Sequence, residues 1–332
     1  MTTTTFRALR VEQDETGRIA AHLRDMPRDS LPAGDLLIRV RYSSVNYKDA
    51  LAATGKGRIM RGLPMTGGID LVGEVIESRN DNLASGQTVL ITGNGLGERH
   101  DGGYAELAQV PADWVLPLPA GLDAQACMTL GTAGFTAGLS LLRMEAMGQT
   151  PAHGPIAVTG ASGGVGSASI ALFSAAGYEV HAITGKPDEN DRLRALGASE
   201  ILLRDELDLG SRPLESARWG GAVDSAGGAL LAGLTRAIRP WGNIAACGLV
   251  GGTDLNTTVM PFILRGVNLL GISSPDCPRP LREAVWSRLA AHFNAERLAL
   301  LSAGEVTLDE LPGVFDRLIA GQARGRFIVR ID

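Results

Sequence analysis

IAVTGASGGVGSASIALFSAAG, residues 156–177, is the stretch whose reading decides the fold. Ile156 to Thr159 is a short apolar run of the kind a buried strand uses. After Val165, the alanines Ala168, Ala171 and Ala175 and the lack of a β-branched run favour a helix. Between them stands Gly160-Ala161-Ser162-Gly163-Gly164-Val165-Gly166. Missing side chains let an anion approach this backbone, and the N–H groups and partial positive charge of a helix start would face its oxygens. Ala161, Gly163 and Gly166 keep the spacing of the dinucleotide-binding fingerprint, with alanine in first place. A merely structural turn would need positive φ at one or two glycines and leaves the others unexplained. The turn therefore predicts a strand, a pyrophosphate cradle and a helix that open a βαβ series.

The end of the second strand decides which dinucleotide. An acid about 20 residues beyond the turn would accept hydrogen bonds from the ribose hydroxyls of NAD. None is there: Glu179 precedes the strand VHAIT, which finishes Thr184-Gly185-Lys186. The third strand, the second's neighbour in this fold, ends Leu203-Arg204. Either cation alone reads equally well as a solvated surface charge. Two of them at adjacent strand ends, with no acid, suit a 2′-phosphate and predict NADPH.

Working outward, apolar strands alternate with helical stretches from Gly154 onward: EVHAIT, DENDRLRALG, EILL, GAVDSAG, LLAGLTRAIR, NIAACG and NLLGIS. That alternation predicts a doubly wound parallel sheet. Before it the register differs. Leu36, Ile38, Val40 and Tyr42 alternate with Leu37, Arg39 and Arg41, and LVGEVIES, QTVLIT and YAELAQV follow between Gly, Asn and Pro turns, so residues 1–125 read as antiparallel β. AQACMTLGTAGFTAGLSLLRMEAMG reads as connecting helix. The helix LDELPGVFDRLIAGQ and strand RFIVRID are surplus to a parallel sheet and predict a return to the first lobe. The expected domains are 1–125 with 300–332, and 126–299.

The composition narrows the function classes. With 332 residues, 45% apolar and 20% charged, the chain is an ordinary globular protein of two lobes. A net charge of −5 without a basic block argues against nucleic acid. Cys127, Cys247 and Cys277 sit in no CxxC pair, which suggests neither disulfides nor a zinc knuckle and fits a reducing cytosol. The opening MTTTTFRALRVEQD has no signal-peptide pattern, and residues 154–178, though uncharged, are too rich in glycine and serine to span a membrane, so a soluble chain is expected.

The lobe order, with its return strand, resembles the medium-chain dehydrogenase/reductase superfamily along the whole chain. The resemblance implies an α/β fold: a GroES-like β domain plus a doubly wound Rossmann domain. Zinc alcohol dehydrogenases of that superfamily carry a catalytic cysteine after the first long strand, a Gly-His-Glu segment and four clustered cysteines. Here SSVNYKD and Gly68-Ile69-Asp70 stand in the first two places, and none of the five histidines has a second soft ligand at metal spacing, so metal-free chemistry is expected. SSVNYKDALAATGKGRIMRGLPMTGGIDLVG, GTAGFTA, VTGASGGVG, ACGLVGG and TTVMPFILRGV are similar to the acrylyl-CoA reductase branch of the quinone-oxidoreductase-like proteins. That resemblance implies NADPH-dependent reduction of acryloyl-CoA to propanoyl-CoA by a cytoplasmic homodimer. It also implies cofactor contacts at Tyr47, Ser162, Gly163, Gly164, Val165, Thr184, Gly185, Lys186, Arg204, Leu249, Ile263, Ser274 and Arg326.

Without a metal, hydride addition to an enoyl thioester puts charge on the thioester oxygen, which neutral donors must stabilise. Tyr47, at the strand end where zinc relatives hold a ligand, is the candidate to orient substrate near the nicotinamide; its bland reading is an amphipathic tyrosine at a domain edge. The α-carbon's proton could come from Tyr47 or from water. Lys56, Arg58 and Arg61 in GKGRIMRG are candidates for coenzyme A phosphates, or simply a solvated loop. A quinone or enone reductase and a noncatalytic NADPH-binding protein are the rival readings.

Overall fold

The computed structural model describes residues 5–331. It divides into two compact units: one takes the chain up to Thr132, Pro275–Pro278 and the chain from Ser302, the other Ala133–Ser274 and Arg279–Leu301. The first boundary lies later than the expected residue 125 because the helix Ala124–Ala146 is broken at Gly131, whose backbone is non-helical. The break frees the Thr132 N–H, which donates to Asp70 Oδ2 at 2.8 Å and ties the helix's first part to the β unit.

The first unit is built on two sheets. Thr5–Gln13 pairs along its full length with Ile19–Pro27 and briefly with Met65–Thr66, a hairpin absent from the sequence reading. The larger sheet runs Ser302–Val306, Arg326–Arg330, Leu36–Ser44, Asp70–Ser78, Thr88–Thr92, Leu116–Pro117, with Leu107–Val110 also on Leu36–Ser44. All its pairings are antiparallel except that of Ser302–Val306 with Arg326–Arg330. The alternation in Leu36–Ser44 has a physical outcome: Leu36, Ile38 and Val40 enter the main core with Leu71, Val75 and Ile91, while Arg39 and Arg41 are exposed. Leu37 faces the other way, yet it too is buried, in a small cluster with Phe6, Ala8 and Leu107. Truncating a fully buried leucine such as Leu71 to alanine costs about 2–5 kcal/mol. The helix Leu311–Ile319 buries Leu311, Val314 and Phe315 in the same core, so the return of the chain completes it.

The second unit carries six strands, all parallel, in the order Glu200–Leu203, Val180–Thr184, Ile156–Thr159, Trp219–Asp224, Ile238–Ala246, Asn268–Gly271. The order reverses between Ile156–Thr159 and Trp219–Asp224. At such a switch point the connections leave to opposite sides and a crevice opens beyond the carboxyl ends of the strands. Both strands are buried throughout, which is why they read as continuous apolar runs.

Candidate active site

In the second unit, the turn after Thr159 leaves the carboxyl edge of the sheet at the switch point. Gly160 has φ +57°, and a Cβ there would meet Ser225 Oγ at 2.4 Å. Gly166 lies so close to the turn that a Cβ would fall 2.2 Å from the Gly160 carbonyl oxygen. Helix Gly164–Ala175 starts after Gly163, and no side chain caps it. Its first N–H groups therefore remain available to an anion at its positive end. Two side chains, buried Asp224 and half-buried Arg192, hold the turn's edges. Asp224 accepts from Thr159 Oγ1 (2.7 Å) and from the Gly227 N–H (2.7 Å), locking the two switch-point strands together. Burial raises the Asp224 carboxyl above its ordinary value, against these bonds. Arg192 donates to the Ser162 carbonyl (3.2 Å) while Glu189 takes its Nε at 2.7 Å. Neither Asp224 nor Arg192 was singled out from sequence; each is a common residue whose partner is remote in the chain.

The neighbouring strand ends meet as the strand order requires. Thr184 pairs with Leu203, so Gly185-Lys186 and Arg204 leave adjacent strands side by side. The guanidinium of Arg204 lies over Gly185, 3.1 Å from where a Cβ would stand, and is exposed, with Nε on Asp205 at 2.9 Å. Thr184 Oγ1 accepts the Lys186 N–H at 3.1 Å and fixes the turn. A bare glycine beneath a planar cation and a lysine beside it fit a phosphate on the ribose.

Leu249 follows the strand Ile238–Ala246 at the same carboxyl edge, beside the loop from Asp224: Cys247 N donates to the Asp224 carbonyl and Gly251 N to that of Ala226. Its side chain is exposed. Ser274 is buried after the last strand, its carbonyl held by Arg282 Nη2 at 3.2 Å. Ile263 is not brought to this edge. It stands on Met260–Arg265, whose last residue donates to the carbonyls of Arg236 and Ile238 at the amino edge, and it lines a cavity of about 350 Å³ with Pro240 and Trp241.

In the first unit, Tyr47 opens the helix Tyr47–Ala53 directly after strand Leu36–Ser44. Its ring is 40% exposed, and its hydroxyl makes no hydrogen bond among the described residues. Its chain neighbours Asn46 and Asp49 belong to a buried polar cluster. Asp70, fully buried, accepts from Ser44 Oγ (2.5 Å), Asn46 Nδ2 (2.9 Å), Thr132 N (2.8 Å) and Thr132 Oγ1 (2.5 Å). Asp49 accepts from Asn46 N at 2.9 Å and Ile69 N at 3.0 Å. Tyr104, also buried, donates to the Ser44 carbonyl at 3.0 Å. Arg326 joins them from the closing strand. Its side chain points into this cluster, only 4% of it is exposed, and it donates to Thr129 O, Val45 O, Asn46 Oδ1 and Ser44 Oγ at 2.8–3.2 Å. With four hydrogen bonds inside the β unit, it is a buried counter-ion of the cluster. Two carboxylates thus face one guanidinium. Burial, and then the charge of Asp70, push Asp49 up to about 7, while burial lowers Arg326 from its ordinary value and both acids pull it back.

Residues 32–120 match the alcohol dehydrogenase GroES-like domain, and residues 164–291 the family described as zinc-binding dehydrogenase. The probable acrylyl-CoA reductase AcuI of Escherichia coli K12 is 45% identical over 98% of this chain and all of its own. Acrylyl-CoA reductase AcuI of Ruegeria pomeroyi is 44% identical over 98% of this chain and 99% of its own. The chain belongs to the acrylyl-CoA reductase branch of the medium-chain dehydrogenase/reductases. Two solved structures superpose closely on the chain. The yhdH oxidoreductase of Salmonella enterica in complex with NADP has a TM-score of 0.95 at 46% identity, covering 98% of this chain and all of that one. Bacillus subtilis yhfP with NAD bound has a TM-score of 0.95 at 41% identity, covering 99% of this chain and all of that one.

In this member of the superfamily the donor set does not fit zinc. Asn46 presents its Nδ2 to Ser44, Asp49 and Asp70, Ile69 offers no ligand atom, and both Asp70 oxygens are taken by donors. Among the described residues no three His, Cys, Asp or Glu side chains gather at a metal-binding distance. The nucleotide turn, by contrast, fits NADPH: an uncapped helix start, a close-packed glycine turn and a cationic pair at the second and third strand ends.

Proposed function

We propose that the protein reduces the carbon–carbon double bond of acryloyl-CoA to give propanoyl-CoA, with NADPH as reductant and without a metal. The observation that carries the reading is the pairing of an uncapped glycine turn with Lys186 and Arg204, in a chain that matches two acrylyl-CoA reductases end to end. In this reading Ser162, Gly163, Gly164 and Val165 hold the pyrophosphate, and Thr184, Gly185, Lys186 and Arg204 hold the 2′-phosphate. Leu249 and Ser274 belong to the nicotinamide end. Bound NADPH supplies a hydride for the β-carbon of the enoyl thioester.

The chain's own part is to receive the charge that then develops on the thioester oxygen. Tyr47 is the catalytic residue of this reading, because the residue is exposed and its hydroxyl, with no hydrogen bond among the described residues, can donate to that oxygen. The α-carbon's proton comes from the same hydroxyl or from water. Lys56, Arg58 and Arg61 follow the Tyr47 helix on an exposed loop and form no ion pair among the described residues, which suits the phosphates of a coenzyme A ester. We assign a homodimer. The strand Asn268–Gly271 is an unpaired sheet edge, and Trp241, Val259, Ile263 and Leu264 nearby are all more than 60% exposed. An open edge beside apolar side chains is a surface that association buries. We place the chain in the cytoplasm, where its three unpaired cysteines would stay reduced.

NADPH oxidation measured with acryloyl-CoA, crotonoyl-CoA and a quinone tests the reading. Turnover of acryloyl-CoA is expected, with activity falling by ~10–100-fold in Tyr47→Phe, as for a lost hydrogen bond to developing charge. Activity with the quinone alone would replace the proposal by a quinone reductase. Unchanged turnover and NADPH affinity in Tyr47→Phe would remove the hydroxyl from both roles.

A further inference from the structure

The candidate site has one exposed hydroxyl, Tyr47, above a cluster of side chains that no substrate can touch. The cluster joins four remote parts of the chain: Ser44 to Asp49, Asp70, Thr129 to Thr132, and Arg326. Its geometry leaves the Asn46 amide one orientation. Arg326 Nη1 donates to Oδ1 at 3.2 Å, so the oxygen faces the guanidinium. Nδ2 faces Ser44 Oγ (3.0 Å), Asp70 Oδ2 (2.9 Å) and Asp49 Oδ2 (3.2 Å), all able to accept. A flipped amide would set a donor against the guanidinium and an acceptor against two carboxylates.

Asn46 is the residue from which the Tyr47 helix starts, with an extended backbone at φ −121° and ψ 155°. Its own N–H is taken by Asp49 Oδ2 and its carbonyl accepts from Asp49 N and Ala50 N. Fixing the Asn46 side chain therefore fixes the direction in which the first helical residue leaves. The cluster has no slack on its far side. A Cβ on Gly131 would stand 2.6 Å from Ser44 Oγ and 2.8 Å from both Arg326 Nη2 and Asp70 Oδ2, and the φ of +48° there is one that glycine tolerates.

We infer that Asp70 is a positioning residue: clamped by Thr132, it holds Ser44 and the Asn46 amide against Arg326, and through Asn46 it sets the direction of the Tyr47 ring. Asp70 touches neither substrate nor cofactor; it acts through Asn46. The inference rests on the reading of Tyr47 as the catalytic donor, but its structural content is testable apart from activity.

The chain has four tyrosines, so 3-fluorotyrosine labelling gives four ¹⁹F resonances, and Tyr47→Phe assigns one of them. In Asp70→Asn, which keeps the shape and removes the charge, the Tyr47 resonance is expected to shift or split. Those of Tyr42 and Tyr178, outside the cluster, should stay in place. With it, kcat on acryloyl-CoA should fall at least tenfold while the Kd for NADPH changes less than twofold. Thr132→Val, which removes only the hydroxyl on Asp70 Oδ1, covers the case in which Asp70→Asn does not fold. It should move the same resonance by less, in a folded protein. An unmoved Tyr47 resonance in a folded variant overturns the positioning role. A moved resonance in a protein that never reduces acryloyl-CoA leaves the positioning role standing and overturns the substrate reading alone.

Discussion

The nucleotide turn and the Asp70 cluster are both sites of close approach, made by opposite means. The turn is backbone: seven consecutive residues, four of them glycine, in which the helix start packs so closely that a Cβ on Gly166 would fall 2.2 Å from the Gly160 carbonyl oxygen, and N–H groups are left uncommitted. The cluster is side chain: residues up to 282 positions apart, every polar atom engaged, with the one free hydroxyl standing at its rim. Local backbone geometry writes itself into contiguous sequence, whereas a network of side chains is dispersed along it. The two should also fail differently, the first through binding and the second through folding and orientation.

The largest effect is expected at the cluster. Arg326→Ala leaves two buried carboxylates with no counter-ion, and breaking such a group typically costs about 3–5 kcal/mol. Denaturant unfolding should show it, and a loss under about 1 kcal/mol would mean that the interior admits water freely. Next comes Gly166→Val, which forces atoms into the Gly160 carbonyl; the Kd for NADPH should rise roughly 100-fold with the fold retained, by calorimetry. A global loss of stability instead would erase the contrast between the two regions. Lys186→Glu should lower the preference for NADPH over NADH roughly 10–100-fold, read from the two kcat/KM values. Equal use of both cofactors by the unsubstituted chain would remove the 2′-phosphate from the account.

The smallest effect is on pH. Asp49 sits at about 7 when folded, so the native chain keeps a proton that the unfolded chain has lost above the ordinary carboxylate value of 3.8. Its contribution is full below that value and is lost as pH rises to about 7, flat beyond. Stability measured from pH 4.5 to 7.5 should fall less steeply in Asp49→Ala than in the parent, although the variant is weaker throughout. Parallel slopes would mean that Asp49 is ionised across the range.

What was legible in the sequence follows the same division. The parallel sheet and the juxtaposition of Lys186 with Arg204 came from apolar runs, a glycine turn and one rule of topology. Leu36–Ser44 was legible because Arg39 and Arg41 interrupt it on the solvent side. The helix Arg279–His292 was not read, although Arg282, Val285, Trp286 and Leu289 keep helical spacing, because the first of its buried positions is an arginine. Nor was the burial of Arg326 read. A single arginine in a closing strand carries no mark of the side it faces; only the pairing of Ile328 with Ser44 and Val329 with Ser43 turns it inward. Ile263 was assigned to the nucleotide by resemblance alone, and strand direction sets it at the other edge of its sheet.

The strand that supplies Arg326 has a consequence during synthesis. Between Ser44 and its guanidinium partner lie 282 positions, including all of the nucleotide unit. At ~5–20 residues per second, Asp70 and Asp49 wait roughly 13–55 s on the ribosome before their counter-ion exists. Through that interval the β unit lacks both its buried cation and the strand Arg326–Arg330 that lies between Ser302–Val306 and Leu36–Ser44. The nucleotide unit, complete earlier in the chain, is therefore free to fold first, and on the proposed positioning role the Tyr47 ring acquires its direction only when the last strand docks.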